Sequence, residues 1–396
     1  MTLNSMLSNR KVFLVSGKRT PFGKFGGSLK DISPVDLAVH ATKATLEEAK
    51  ISAEKVDHFV LGNVVPTTTD ALYGGRHLAL KVGAREETPG YCLNRLCGSG
   101  AQAIMDAVRM ILCGEASSVI AAGTENMSNV PHLVYGSRFG TKYGALKTVD
   151  MLLDSLTDKF AGCPMGITAE NLSEKFGITR EEAEKYSVES HKKAVKAREE
   201  GHFKAEIAPV ELKRGTLDFD EHVRDDATVE GMAKLRASFK EGGVVTPATA
   251  SGIVDGASST LIASEDFCKD HNLKPMAQIM DGAVVGVDPT IMGIGPVPAI
   301  RELLKRNNLT LDDIDLVEIN EAFAGQVLSC AKELNLSQEK LNIWGGAVAL
   351  GHPLGASGNR ITLTLARQLK EKNLKRGIAA ACIGGGQGIA ILIESV

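Results

Sequence analysis

Four short segments hold the side chains best suited to covalent and acid–base chemistry. The first is Asn94-Arg95-Leu96-Cys97-Gly98-Ser99-Gly100. A cysteine just ahead of a helix lies near unpaired backbone N–H groups and the positive end of the helix dipole. That placement is expected to bring a thiol pKa below about 8.5 and raise the thiolate fraction. The glycines permit a sharp turn and close approach of an acyl group, although a lone buried cysteine is more often inert. The second segment, Gly345 to Gly358, sets His352 between Gly351 and Pro353 in a run of small residues. Such a histidine can be the base for a thiol or a neutral donor to an oxyanion; capping a turn is the plain alternative. The third, Cys382-Ile383-Gly384-Gly385-Gly386-Gln387-Gly388, follows an apolar stretch. Its glycines can expose backbone N–H groups as an oxyanion hole requires, or simply turn the chain into a last strand. The fourth, Asn320-Glu321-Ala322-Phe323-Ala324, ends another apolar stretch. Asn320 there can fix a water, donate a hydrogen bond or cap the next helix.

The elements that must position these residues come in two similar sets. Ile51 to Asn63 and Leu309 to Glu321 share a cap-like Ser or Thr, an acidic residue, a branched apolar residue, Asp and a short apolar run. Each follows a helical pattern opened by proline, at Pro34 and Pro296. Gly98-Ser99-Gly100 opens a helix with apolar residues at 101, 104, 105, 108, 111 and 112, one face of a 3.6-residue period. Gly355 to Gly358 opens another through Ile361, Leu365 and Leu369. These lead into Val119 to Gly123 and Ile378 to Cys382, two candidate buried strands. The matching order suggests an internal duplication and predicts an α/β fold of two similar layers. Residues 125–245 are charged and loop-rich, with one clear helix. It starts at the capping box Thr179-Arg180-Glu181-Glu182 and turns Ala183, Tyr186, Ser190, Ala194 and Ala197 inward.

Composition excludes several classes. Lysine and arginine number 45 against 48 aspartates and glutamates, a net charge of −3, so no global field favours nucleic acid or an anionic membrane. No uninterrupted apolar run nears the roughly 18 residues that span a bilayer. The seven cysteines are scattered, odd in number and lack a C-x-x-C pair. Neither a disulfide framework nor a structural zinc site is favoured, and a reducing compartment fits best. The basic stretch before Asp31 faintly suggests a transit peptide, but Lys18 to Gly23 reads as a turn after a first strand. Gly98-x-Gly100-x-x-Ala103 matches a dinucleotide fingerprint loosely, behind a segment too polar for a central parallel strand. No βαβ unit fits after the glycines at 384–388.

Taken together, these segments resemble the thiolase family essentially end to end. The likeness extends to Lys18 to Gly23, Ser251-Gly252 with Asp255-Gly256, and Met292-Gly293-Ile294-Gly295-Pro296. Arg138 to Lys142, Met292 to Ile300 and Cys382 to Gly388 are most similar to the mitochondrial-type 3-ketoacyl-CoA thiolases. The resemblance implies a thiolase fold: two similar βαβαβαββ halves forming a layered αβαβα core, with an inserted loop domain. It implies residues 1–124 plus 246–272 as the N-terminal half, 125–245 as a CoA-binding loop domain, and 273–396 as the C-terminal half.

The implied reaction is reversible cleavage of a 3-ketoacyl-CoA by CoA into acetyl-CoA and a shortened acyl-CoA. By family match Cys97 is the acylated nucleophile, His352 activates it, and Cys382 protonates the leaving enolate. Asn320 holds a water that forms one oxyanion hole with His352, and the N–H groups of Cys97 and Gly384 form the other. Arg224 matches a base near the CoA nucleotide, Ser251 a pantetheine contact, and Phe239, Met165, Met292 and Phe323 substrate-binding positions. A surface ion pair of Arg224 with Asp220 or Asp225 is the plain alternative. CoA is substrate, with no cofactor or metal, and the expected assembly is a homodimer or homotetramer. No nucleic-acid or membrane-inserted partner is implied. The expected location is a bacterial cytoplasm, with the mitochondrial matrix as alternative.

Two departures stand out. Cys163-Pro164-Met165-Gly166 has proline where biosynthetic acetoacetyl-CoA thiolases usually have histidine, which favours a broader, degradative chain-length range. The usual Asn-Ala-Ser-Gly reads Thr249-Ala250-Ser251-Gly252. Competing readings are a mainly biosynthetic enzyme condensing two acetyl-CoA, a non-catalytic acyl-CoA carrier, and a cysteine–histidine hydrolase. The hydrolase gives Cys382 no purpose.

Overall fold

The computed structural model describes residues 10–140 and 143–396. Thr141 and Lys142, part of the segment likened to mitochondrial-type enzymes, lie outside the described residues, as do residues 1–9.

Nine strands carry the main sheet: β1 (Val12–Arg19), β2 (His58–Asn63), β3 (Gly90–Leu93), β4 (Ser118–Glu125), β5 (Val254–Ser264), β6 (Ala277–Gly286), β7 (Leu316–Ile319), β8 (Arg376–Ile383) and β9 (Gln387–Ser395). Their order is β7-β8-β9-β6-β1-β5-β4-β2-β3, and a short strand at Gly23–Lys24 adds to β5. The order reads as two five-strand sets meeting at β6 and β1, with one edge position replaced by the Leu341 bridge to Val317. Within each set the inner pairs are parallel, β2 with β4 and β7 with β8, while the later strands return antiparallel. Parallel strands need a crossover helix, and those helices build the layers.

The helices are α1 (Pro34–Ala49), α2 (Gly74–Lys81), α3 (Ser99–Cys113), α4 (Met165–Phe176), α5 (Arg180–Glu199), α6 (Pro296–Arg306), α7 (Ala324–Leu334) and α8 (Leu354–Glu371). Ser33 caps α1 by accepting from the Asp36 N–H, and Pro34 takes the first helical position where its missing N–H costs nothing. Helices α3 and α8 touch strands of both sets, so they form a middle layer. Almost every α8 side chain is buried, as a helix covered on all sides requires. The outer layers are α1 with α2 on one side and α6 with α7 on the other, each over its own apolar cluster. That is the αβαβα arrangement expected.

Glycine makes the middle layer possible. A Cβ on Gly100 of α3 would stand 2.5 Å from the Asn359 amide nitrogen, and one on Gly358 of α8 would stand 2.5 Å from that of Ala101. The two backbones are therefore nearly in contact where the helices cross. This also removes the dinucleotide reading of Gly98-x-Gly100, because the space a pyrophosphate would need is filled by α8.

The described residues between 126 and 253 add no strand to the large sheet. They form three two-stranded pieces and, besides the predicted α5, the helix α4 that the sequence reading had not separated from loop. The capping box at Thr179 is present, and the five residues expected to face inward on α5 are all buried. Arg19 ties this region to β1: it is fully buried between Glu206 at 2.7 Å and Asp220 at 2.6 Å.

Candidate active site

All four sequence segments converge from the ends of helices and strands. Cys97 lies between edge strand β3 and the start of α3, after Leu96, whose φ of 47° makes the turn. His352 stands just before α8, after Gly351 at φ 96°. Cys382 is near the end of β8, and Gly385 and Gly386, at φ 80° and 81°, turn the chain into β9. Asn320, in the fourth segment, follows β7.

Their contacts define a working arrangement. The Gly384 N–H donates to the Cys97 sulfur. Asn320 Nδ2 lies 3.3 Å from His352 Nε2, and His352 Nδ1 lies 2.5 Å from Ser357 Oγ. The Ser357 hydroxyl donates to the Pro353 carbonyl, so its lone pairs are left to accept from Nδ1–H. That leaves Nε2 unprotonated, accepting from Asn320, as a base for a neighbouring thiol must be. The His352 main-chain N–H donates to Gly252 O at 2.9 Å and pins the loop. Asn320 Oδ1 is buried without a partner, an acceptor able to hold a water or a substrate donor.

The electrostatics correct one expectation. Cys97 does not rest with a lowered pKa: burial pushes its thiol up to about 11, and the Gly384 donor offsets only part of that. The nearby Glu125 adds to the rise. Helix α3 begins two residues later, too far on to outweigh desolvation. Burial, with the Arg360 cation nearby, holds His352 down to about 3. Cys382 is fully buried and its thiol is raised well above its ordinary value, by desolvation and by Cys97. The resting site is thus thiol, neutral imidazole, thiol.

A cavity of about 300 Å³ opens over these groups. Cys97, His352, Ser251, Phe239, Met165, Met292 and Phe323 all line it, so every predicted substrate contact but one borders the same space. Cys382 and Asn320 lie buried beneath the wall, and Cys382 packs with Met292 and Ala322. The Phe239 ring rests on Gly166, where a Cβ would come within 2.2 Å. Met127, Leu153, Leu156 and Leu354 complete an apolar wall. Sequence reading missed these four, since single apolar residues in a loop-rich segment carry no periodic signal. Ser357 was visible only as part of a helix start; its spacing of five from His352 was the available clue. Thr249 turns away from the cavity: its hydroxyl donates to the Val244 carbonyl and accepts from the Thr246 N–H.

Arg224 borders a second cavity of about 300 Å³, together with His191 and His222. The surface-pair alternative does not hold among the described residues: Asp220 is taken by Arg19 and Asp225 by Arg198, leaving Arg224 exposed. The His222 ring packs on Gly252, where a Cβ would be 2.5 Å away, so His222 stands between the two cavities. Among the described residues, no group of three or more His, Cys, Asp or Glu side chains is placed to hold a metal ion.

A five-layer α/β core with Cys97 and His352 lining an apolar cavity, and Asn320 and Cys382 buried beneath its wall, defines an acyl-transfer scaffold. Family comparison is in accord: residues 12–266 match the thiolase N-terminal domain and residues 273–395 the thiolase C-terminal domain, so the chain belongs to the thiolase family. It is 49% identical to the human mitochondrial 3-ketoacyl-CoA thiolase over 98% of each chain. It is 44% identical to a probable acetyl-CoA acyltransferase of Staphylococcus aureus (strain COL), over 97% of this chain and 99% of that one. The crystal structure of the human mitochondrial enzyme in complex with CoA superposes with a TM-score of 0.96, covering 98% of both chains at 49% identity. That of the Bacillus anthracis acetyl-CoA acetyltransferase gives 0.94 at 41% identity, covering 98% and 99%.

Proposed function

We propose that this chain is an acyltransferase that cleaves 3-ketoacyl-CoA with CoA, reversibly, into acetyl-CoA and a shortened acyl-CoA. The observation that carries it is the convergence of Cys97, His352, Asn320 and Cys382 on one apolar cavity, with a backbone N–H already aimed at the Cys97 sulfur.

In the cleavage direction His352 Nε2 takes the Cys97 proton and the sulfur attacks the 3-keto carbon. The N–H groups of Cys97 and Gly384 receive the resulting oxyanion. The bond between carbons 2 and 3 then breaks, leaving its electron pair on acetyl-CoA as an enolate. The protonated His352 and a water on Asn320 hold the enolate oxygen, and the Cys382 thiol supplies the proton to carbon. The Cys382 thiolate takes the proton of an incoming CoA thiol, which attacks the acyl–Cys97 thioester; the leaving Cys97 sulfur regains its proton from His352. Two separate anions arise, so two donor sites are needed. Acyl transfer between sulfurs stays near energetic neutrality, which suits cysteine as nucleophile.

Arg224 at the second cavity suits the CoA phosphates, with Ser251 along the pantetheine, and CoA serves as substrate without a metal. The apolar wall from Leu153 to Leu354 and the proline at 164 favour acyl groups longer than acetyl, hence the degradative direction. We divide the chain into thiolase halves at 1–124 with 246–272 and at 273–396, with 125–245 as the CoA-binding loop domain. A homodimer or homotetramer is supported by the open sheet edge at β3 and by exposed Tyr135, Phe139 and Tyr143. The mitochondrial and bacterial relatives are equally compatible with a matrix or a bacterial cytoplasmic location.

The test is CoA-dependent cleavage of acetoacetyl-CoA and a longer 3-ketoacyl-CoA by wild type and Cys97→Ala. Loss of at least about 10³-fold is expected for removal of a covalent nucleophile. Intact-protein mass spectrometry with acetyl-CoA should show one acetyl group on Cys97; undiminished turnover by the variant would refute the assignment.

A further inference from the structure

Next to Asn320 stands a carboxyl group the proposed mechanism does not use. Glu321 is fully buried, and its two oxygens accept four hydrogen bonds from three separate parts of the chain. Oε1 accepts from the Tyr186 hydroxyl at 2.8 Å and from Asn342 Nδ2 at 2.9 Å. Oε2 accepts from the Ser190 hydroxyl at 2.7 Å and from the Val348 N–H at 3.1 Å. Tyr186 and Ser190 are one turn apart on α5. Val348 belongs to the one-turn helix Ala347–Leu350 that leads directly to His352. Gly346 packs so closely that a Cβ there would meet the Glu321 carboxyl carbon at 2.3 Å.

The same cluster grips the other side of Asn320. Asn342 accepts from the Ile319 N–H and donates to the Ile319 carbonyl, both at 2.9 Å. The residue before Asn320 and the residue after it are therefore fixed by one buried network, and the Asn320 N–H itself donates to the Ala380 carbonyl on β8. All four donors into Glu321 need an acceptor, so two carboxyl oxygens that only accept satisfy the set and an amide does not.

We infer that Glu321 is a positioning residue: it locks Asn320 into the geometry that holds the enolate oxygen, while His352, which serves both half-reactions, is held separately by Gly252 and Ser357. This rests on the role given to Asn320 above. Glu321 touches nothing near the Cys97 and Gly384 donors, so its influence falls on one anion and not on the other. The two half-reactions separate them. Breaking or making the carbon–carbon bond passes through the enolate, whereas exchange of acetyl between CoA and Cys97 passes only through the tetrahedral oxyanion.

The experiment compares wild type, Glu321→Gln, Tyr186→Phe and Asn320→Ala in two assays. One measures kcat and KM for cleavage of a 3-ketoacyl-CoA; the other measures exchange of isotopically labelled CoA into acetyl-CoA. In Glu321→Gln the amide can face the Ser190 hydroxyl, which can turn, but not the Val348 N–H. Cleavage kcat should fall by roughly 10- to 100-fold, the order that a 1 Å misplacement costs, with KM and exchange within about twofold. Tyr186→Phe removes one donor of four and should show a smaller shift of the cleavage-to-exchange ratio in the same direction. Equal loss in both assays, or unchanged cleavage, overturns the inference. Should Glu321→Gln not fold, Tyr186→Phe decides, and an unchanged ratio there overturns it. If Asn320→Ala shows no split, the assignment of Asn320 fails; if it alone shows the split, only the Glu321 inference fails.

Discussion

Burial holds the proton on Cys97 up to about pH 11 and keeps His352 neutral down to about pH 3, so the two rest as thiol and imidazole rather than as an ion pair. On the proposed mechanism the nucleophile is made only when the proton moves to Nε2, within a site closed by substrate. Charge separation is deferred until an acyl carbon is present, which limits wasteful reaction with other electrophiles. The pH dependence of alkylation reads this directly. In a Cys382→Ser background, the rate of Cys97 carboxamidomethylation by iodoacetamide should climb by about tenfold per pH unit between pH 6 and 9, because only the small thiolate fraction reacts. A resting thiolate–imidazolium pair would give a flat profile over that range, and a plateau would contradict the site described here. The candidate catalytic residues Cys97, His352 and Cys382 were legible in the sequence because each stands close to glycines that clear space around it, whereas Asn320 showed only as the end of an apolar stretch. The resting charge was not, because a helix start and a buried pocket push a thiol in opposite directions and only coordinates show which dominates.

The elements that carry these residues were read from periodicity and capping, and most lie where the spacing put them. The helices after Gly98 and Gly355 and the strands through Val119 and Ile378 follow from apolar residues recurring at helical or continuous intervals. The segment Gly90 to Arg95 reads as too polar for a central parallel strand; its first four residues, Gly90–Leu93, are a parallel strand but at the sheet edge, where one side is free of neighbours. What spacing could not reveal is the crossing of α3 and α8, since Gly100 and Gly358 are far apart in the chain and each looks like an ordinary helix-start glycine. Gly358→Ala tests that contact. Its methyl group would press on the Ala101 backbone, which has no flexible end to move aside. Overpacking of this kind costs about 1–3 kcal/mol, so the urea midpoint should drop. The helix starts carry Cys97 and His352, so kcat should fall as well. An unchanged midpoint would show that the two helices have slack the structure does not contain.

Across the whole molecule, ionisable groups of both kinds are buried, and their opposing titrations shape the acid response. His352 and His191 are held down to about 3 and about 4, mainly by desolvation. An unfolded histidine takes up its proton near pH 6.5, so between there and the folded values the unfolded chain binds more protons and stability falls as pH falls. Glu125 and Glu318 are raised to about 7, again mainly by burial, against a free value near 4.5. For them the folded protein holds the extra proton, so stability rises as pH falls from about 7 to 4.5 and then stays level. Asp255, raised by burial, leans the same way. His58 and His222 are lowered by burial as well, so four histidines work against the three carboxyls from pH 6.5 to 4.5. Below that the carboxyl gain is complete while the histidine loss still grows, at about 1.4 kcal/mol per pH unit for each unmatched proton. Partly exposed carboxylates held low by partners, such as Asp70 with Thr68 and Lys81, add to the loss there. Urea unfolding followed by circular dichroism should give a midpoint that changes little from pH 6.5 to 4.5 and drops steeply below. A steady decline beginning at pH 6.5 would mean that the buried glutamates are ionised in the folded protein, and that the balance between the two kinds of buried group is not the one the structure sets.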